Sequence, residues 1–135
     1  MATISFDLDR FLNAQEYAYP IALEEMKNGH KRSHWIWYIF PQEKGFGRSW
    51  NSEYYGLDGE EEARAYLAHP ILGKRLREIT SAVLSHRGEL SARQIMVSGI
   101  DTVKLRSCME LFDKVSPNDI FAQVLDAFYK NDKNY

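Results

Sequence analysis

The stretch Pro70-Ile-Leu-Gly-Lys-Arg-Leu-Arg-Glu-Ile-Thr-Ser-Ala-Val-Leu84 sets Leu72, Leu76, Ile79 and Val83 at successive spacings of 4, 3 and 4. That period gathers the four aliphatic side chains on one face of an α-helix. Pro70 suits the opening turn, where its missing N–H costs nothing, and Gly88 closes a helix that reaches to about residue 86. Downstream, Ser91 with Gln94 marks a short capped helix, and Asp101 starts another with Leu105, Cys108 or Met109, and Phe112 facing inward. Ser116-Pro117 reads as a cap and first-turn proline before the stripe Ile120, Phe121, Val124, Leu125 and Phe128. Upstream, Asp58 with Glu61 forms a capping-box pattern ahead of Ala63, Tyr66 and Leu67. Phe6-Asp7 resembles a staple and cap before Leu8, Phe11 and Leu12, and Pro20 opens a second helix over about 19–28, ended by Asn28-Gly29. Ser33 to Phe40 reads either as a strand, from its aromatic and β-branched content, or as a short helix capped by Ser33 and stopped at Pro41. Residues 44–49 form a loop and 50–55 one helical turn.

The fold class that follows is mainly α: one compact domain over residues 1–135 with five to seven short helices and, as the open question, one short strand pair. The ordered core spans about 5–130, and residues 131–135 are expected to fray. A chain of 135 residues holds one domain, and 44% hydrophobic with 27% charged residues is ordinary globular composition. The longest apolar run, Trp35 to Pro41, falls far short of the ~18 residues of a membrane span. No basic-then-apolar leader is visible, and the single cysteine excludes an internal disulfide and a Cys-rich zinc site. These features point to the cytoplasm.

Charge is unevenly placed. The net charge is −2, yet segment 27–50 sets Lys27, Lys31, Arg32, Lys44 and Arg48 against Glu43 alone, a local net of +4 on a remainder of −6. His30, His34 and all three tryptophans, Trp35, Trp37 and Trp50, fall in that segment. A basic, aromatic-rich segment on an acidic chain is the functional lead. It also reads as core aromatics with a solvated charged rim.

Four stretches together carry a resemblance: Arg10-Phe-Leu-Asn-Ala-Gln15; Lys31-Arg-Ser-His-Trp-Ile-Trp-Tyr-Ile-Phe-Pro-Gln42 followed by Gly47-Arg-Ser49; Ala63-Arg-Ala-Tyr-Leu-Ala-His-Pro70; and Lys104-Leu-Arg-Ser107 with Leu111-Phe112. Over nearly its whole length the chain is similar to a family of small, mainly helical bacterial proteins of unknown function, sometimes labelled "calpastatin". The resemblance implies a fold and no activity. The inhibitor label carries no weight, because calpastatin inhibitory segments are disordered and this composition is globular. One departure is visible: Cys108 stands where a small hydroxyl or similar residue is expected.

Each motif has a chemical and a structural reading. Arg32, Ser33 and His34 can hold an anion, with Arg32 offering a planar fork and His34 suited to general acid or base work near neutral pH; they can equally be solvated or packed under the tryptophans. Trp35 or Trp37 can form the wall of a flat-ligand site, or both can be core. Gln42, fixed by Pro41, can read a ligand or finish a turn. Gly45 to Ser49 allows close backbone approach beside Arg48 and Ser49, but lacks P-loop and dinucleotide-binding spacing. Tyr54 and Tyr55 offer a hydroxyl or packing. Lys104 and Ser107 share a helix face and can complete the site, while Arg106 pairs with Glu110. Cys108 reads as structural, His69 as a cap of the long helix, and the four histidines lack metal spacing.

The leading reading is a pocket for a small anionic ligand, phosphate-bearing or nucleotide-like, lined by Arg32, Ser33, Trp35, Trp37, Gln42, Arg48, Ser49, Lys104 and Ser107, with His34 as the catalytic candidate and no metal or cofactor. The alternative is a non-catalytic protein–protein interaction module using the Trp-rich segment 31–50. Single-stranded nucleic acid is disfavoured by the acidic remainder, no membrane association is expected, and the sequence does not set an oligomeric state. The pocket requires segments 31–34, 42–49 and 104–107 to converge in a concavity. The module requires an exposed tryptophan.

Overall fold

Leu72, Leu76, Ile79 and Val83 are buried together, on a helix flanked by three others. The computed structural model describes residues 5–130, and among them are eight helices: α1 (Asp9–Lys27), α2 (Ile36–Ile39), α3 (Trp50–Tyr54), α4 (Gly59–Ala68), α5 (Leu72–Leu84), α6 (Ala92–Met96), α7 (Gly99–Val115) and α8 (Ile120–Phe128). The count exceeds the expected five to seven because α2, α3 and α6 each form in only four or five residues. Helix α5 packs against α1, α4 and α8; α7 packs against α4, α6 and α8, and α2 touches both α1 and α7. One apolar cluster, including Phe11, Met26, Trp35, Leu72, Phe112 and Phe121, draws on every helix but α3. In place of a strand pair, the described residues hold a single parallel bridge between Glu43 and Leu57. The tail expected to fray, 131–135, lies outside the described residues.

Several helix ends differ from the sequence reading, each for a local reason. Pro20 does not open a second helix; α1 runs straight through it. Buried side chains on both sides of the proline, Phe11, Gln15 and Tyr19 before and Ala22, Glu25 and Met26 after, hold α1 together against the ~3 kcal/mol that an interior proline costs. Within Ser33 to Phe40 the four residues Ile36–Ile39 are helical and none is in a strand, but Ser33 caps nothing, because its hydroxyl is bonded elsewhere. The cap partner of Asp58 is Glu62, not Glu61: Glu62 Oε1 accepts from the Asp58 N–H at 2.7 Å. Helix α7 starts at Gly99 under a Ser98 cap, two residues before Asp101. Helix α8 is capped by Asp119 rather than Ser116, whose hydroxyl donates to Asp119 at 2.6 Å. The Ser91–Gln94 capping box is present, and His69 Nδ1 accepts from the N–H groups of Ile71 and Leu72, as a cap of α5 should.

Gly73 fixes how α4 meets α5. A Cβ there would stand 2.0 Å from the carbonyl oxygen of Leu67, a backbone atom that cannot swing aside. Val97 is the opposite case, a β-branched residue at φ 73 in the turn before α7. The Ser98 N–H donates to the Met96 carbonyl at 2.8 Å across it, a γ-turn in a sterically costly region.

The basic stretch after α1 is anchored by a carboxylate. Glu25, 8% exposed, accepts at Oε1 from the backbone N–H groups of Arg32 (2.9 Å) and Ser33 (3.0 Å) and from the Trp35 indole N–H (2.8 Å), and at Oε2 from the Ser33 hydroxyl (2.6 Å). Lys31 completes the clasp: its ammonium pairs with Asp101 at 2.9 Å, donates to the Ser33 carbonyl and lies 4.8 Å from the centre of the Trp35 ring. Burial pushes the Glu25 carboxyl up, but the bonds from Ser33, Arg32 and Trp35 outweigh burial and hold it at about 2, below the ordinary 4.5.

Gly73→Ala is expected to lower stability by about 1–3 kcal/mol, read as a Tm several degrees lower. Val97→Gly is expected to raise Tm, since relief of ~1–3 kcal/mol of backbone strain exceeds the ~0.5–1 kcal/mol entropic cost of glycine; a lower Tm would contradict the strained turn. Glu25→Gln removes the charge and one acceptor oxygen, and should cost about 2–4 kcal/mol in denaturant melts at neutral pH. Below about pH 4.5 the unfolded chain binds a proton that folded Glu25 refuses until about 2, so stability falls as pH drops through that window. The Gln variant should lack this part of the slope.

Candidate functional site

The residues expected to line one pocket have different neighbours. Arg32 is exposed and faces a groove of about 540 Å³ over α1. Ser33 and Trp35 are tied to Glu25, and Trp35 is fully buried. His34 is exposed in the turn before α2, and its carbonyl accepts from the Tyr38 hydroxyl at 3.3 Å. The Gln42 side chain is buried and donates to the backbone carbonyls of Phe40 and Ile36. Arg48 is exposed in the loop before α3, and the Ser49 hydroxyl caps α3 by accepting from the Ser52 N–H at 3.1 Å. Two of the expected residues do meet: Lys104 Nζ lies 5.2 Å from the centre of the Trp37 ring, with Ser107 one turn further along α7 and half-buried. The Trp37 indole N–H is buried and has no hydrogen-bond partner among the described residues.

A more open aromatic surface lies outside the residues expected to line the pocket. Trp50 is 69% exposed, Phe46 46% and Tyr54 44%. The Trp50 and Tyr54 rings lie nearly parallel, 4.7 Å apart at 13°. They stack because α3 places residues 50 and 54 one turn apart on one face. Together with Lys44, Gly45 and Glu53 they line a groove of about 520 Å³. Gly45, at φ 95 with no atom near its missing Cβ, opens one side of the groove. The platform is braced from beneath. Tyr54 meets Tyr55 edge-on at 4.8 Å, and Tyr55 meets Tyr38 at 5.1 Å and Phe11 at 5.9 Å, so rings connect the surface to the core. Arg10 donates to the carbonyls of Tyr54 (2.8 Å), Gly56 (3.0 Å) and Asp7, and pairs with the buried Glu62 at 2.8 Å. The sequence signal for the platform is the aromatic pair at i and i+4 within the turn expected over 50–55.

The chemistry available elsewhere is narrow. Burial pushes the Cys108 thiol well above its ordinary range, which suits packing and not nucleophilic attack. Among the described residues no group of three or more His, Cys, Asp or Glu is placed to hold a metal ion, and no helix is long and apolar enough to cross a membrane.

Comparison with known proteins places these features in a family. The crystal structure of the conserved hypothetical protein Rv1873 from Mycobacterium tuberculosis is similar to this chain, with 42% identity and a TM-score of 0.87 over 92% of this chain and 88% of that one. No protein with a curated description matches. The family model for a protein of unknown function (DUF1810) matches residues 5–135, and on that match the chain belongs to the DUF1810 family.

Proposed function

We propose that this protein binds a planar, phosphate-bearing small ligand of nucleotide-like chemistry on the Trp50–Tyr54 platform. The observation that carries this reading is the 69% exposed Trp50 ring, held flat on Tyr54 at the side of a groove that Lys44 also lines. Trp50 offers a rigid π-face to a ring, a contact worth ~1–3 kcal/mol per base. Lys44 supplies a cation within the groove, and Arg48 stands exposed four residues further along the same loop. Gly45 leaves room for a phosphate to approach the backbone. Glu53 lies in the same groove and offers acceptors for ring amino or ribose hydroxyl groups. The reading is of binding; the acid–base role considered for His34 is not part of it. None of the residues first expected to line the pocket lines this groove; Arg48 stands exposed in the loop beside it, and the wall moves from Trp35 or Trp37 to Trp50.

The same surface supports a second reading, a protein-interaction module, because Phe46, Trp50 and Tyr54 together expose three large rings in one stretch of nine residues.

Nucleotides, sugar phosphates, dicarboxylates, short oligonucleotides and peptides can be compared by thermal shift and tryptophan fluorescence. Nucleotides are expected to quench fluorescence saturably and to raise Tm, by the equivalent of ~2.7 kcal/mol at a hundredfold excess over Kd. Trp50→Ala should weaken binding about tenfold or more, and Lys44→Ala with Arg48→Ala should weaken it and flatten its salt dependence. Sugar phosphates that bind as well as nucleotides would contradict the stacking wall. Oligonucleotides that bind far more tightly than mononucleotides would move the ligand to single-stranded nucleic acid. Silence across the small ligands would favour the interaction module.

A further inference from the structure

We infer that the groove over the C-terminal half of α1 is a second, independent binding site, shaped for an apolar zwitterion that carries one ammonium and one carboxylate. Pro20, Ile21 and Glu24 project from α1, Asn28 is its C-cap, and His30 and Arg32 come from the segment that folds back after Gly29. The volume of this open groove, about 540 Å³, lies within the 300–1,000 Å³ typical of small-molecule sites.

The charges in the groove decide the ligand class. Glu25 also borders it, but its carboxylate is already met by four donors from residues 32–35. That leaves one free carboxylate, Glu24, and one free guanidinium, Arg32, both exposed. Among the described residues neither side chain has an ion pair or hydrogen bond, and the same is true of the side chains of Asn28 and His30. A simple anion would face Glu24, and a simple cation would face Arg32. A zwitterion satisfies both: its carboxylate meets the Arg32 fork and the Asn28 amide, and its ammonium meets Glu24. The apolar remainder lies on Pro20 and on Ile21, which is 51% exposed.

The groove is also held in shape before anything binds. The Asn28 N–H donates to the Glu24 carbonyl at 3.0 Å, the His30 N–H to the Glu25 carbonyl at 3.0 Å, and the Arg32 N–H to the Glu25 carboxylate at 2.9 Å. Each residue that closes the groove is thereby anchored to α1. Preorganisation of this kind removes ordering cost from binding.

Free leucine and phenylalanine share this chemistry with the ends of a short apolar peptide, so the test has arms for both. Two-dimensional NMR titrations of the intact protein would use leucine, phenylalanine, the dipeptide Leu-Leu, the deaminated acid 4-methylpentanoate, the decarboxylated amine 3-methylbutylamine and N-acetyl-leucine amide. Saturable shifts confined to residues 20–32 are expected from at least one zwitterion, with binding weaker by tenfold or more for every analogue lacking a charge. Tighter binding of free leucine identifies an amino acid, and tighter binding of Leu-Leu a peptide; either supports the site. Glu24→Gln and Arg32→Gln, both at exposed positions, should keep the wild-type Tm and each lose tenfold or more in affinity. The proposal is overturned if no zwitterion gives saturable shifts up to about 10 mM, if the charge-lacking analogues bind equally, or if both variants bind as the wild type does.

Discussion

The Glu25 carboxylate is the constraint on which the rest of this structure depends. It sits on the inner side of α1 and receives two backbone N–H groups, a hydroxyl and an indole N–H from residues 32–35. Those four bonds turn the chain back over α1 after Gly29 and seat Trp35 in the core. They also determine what the basic stretch can do. Lys31 is drawn inward to Asp101 and the Trp35 ring, while Arg32 is left outside at the edge of the α1 groove. A buried carboxylate with this many donors stays ionised, so the clasp works by charge as much as by shape.

A second buried ion pair does comparable work at the other end of the segment. Arg10 and Glu62 face each other beneath α3; Arg10 holds the carbonyls at its C-terminal end, and Glu62 caps the start of α4. With the rings of Phe11, Tyr55 and Tyr54 in tilted and edge-on contact from the core outward, this support leaves Trp50 projecting on a braced base. The exposed tryptophan is thus a consequence of how α1, α3 and α4 are joined. A rigid, exposed aromatic face is the kind of surface that binding sites use, since little side-chain entropy is lost when a ligand covers it.

Much of the fold could be read directly. The Leu72–Val83 stripe, the Ser91 capping box, the His69 cap and the last stripe to Phe128 all have local, periodic causes. The readings that failed have non-local causes. Pro20 breaks a helix by every local rule, and only the packing of α1 on α5 and α2 carries α1 through it. Ser33 is a sound cap residue until Glu25, eight positions earlier, takes its hydroxyl. The site was harder still. That Gln42 would donate to the carbonyls of Phe40 and Ile36, and that Lys104 would lie over Trp37, depends on contacts no spacing encodes. Trp50 was visible as part of a tryptophan-rich segment, but which tryptophan faces solvent is decided by the whole core.

The central claim is that the stretch Arg32 to Trp35, rich in catalytic residue types, is organised as a structural clasp around an ionised Glu25. Its most direct measurement is a carbon-detected NMR titration of the Glu25 side-chain carboxyl in the folded protein. The clasp predicts a midpoint near 2. A midpoint near the ordinary 4.5 would mean that the four donors do not hold the charge, and the clasp would be refuted.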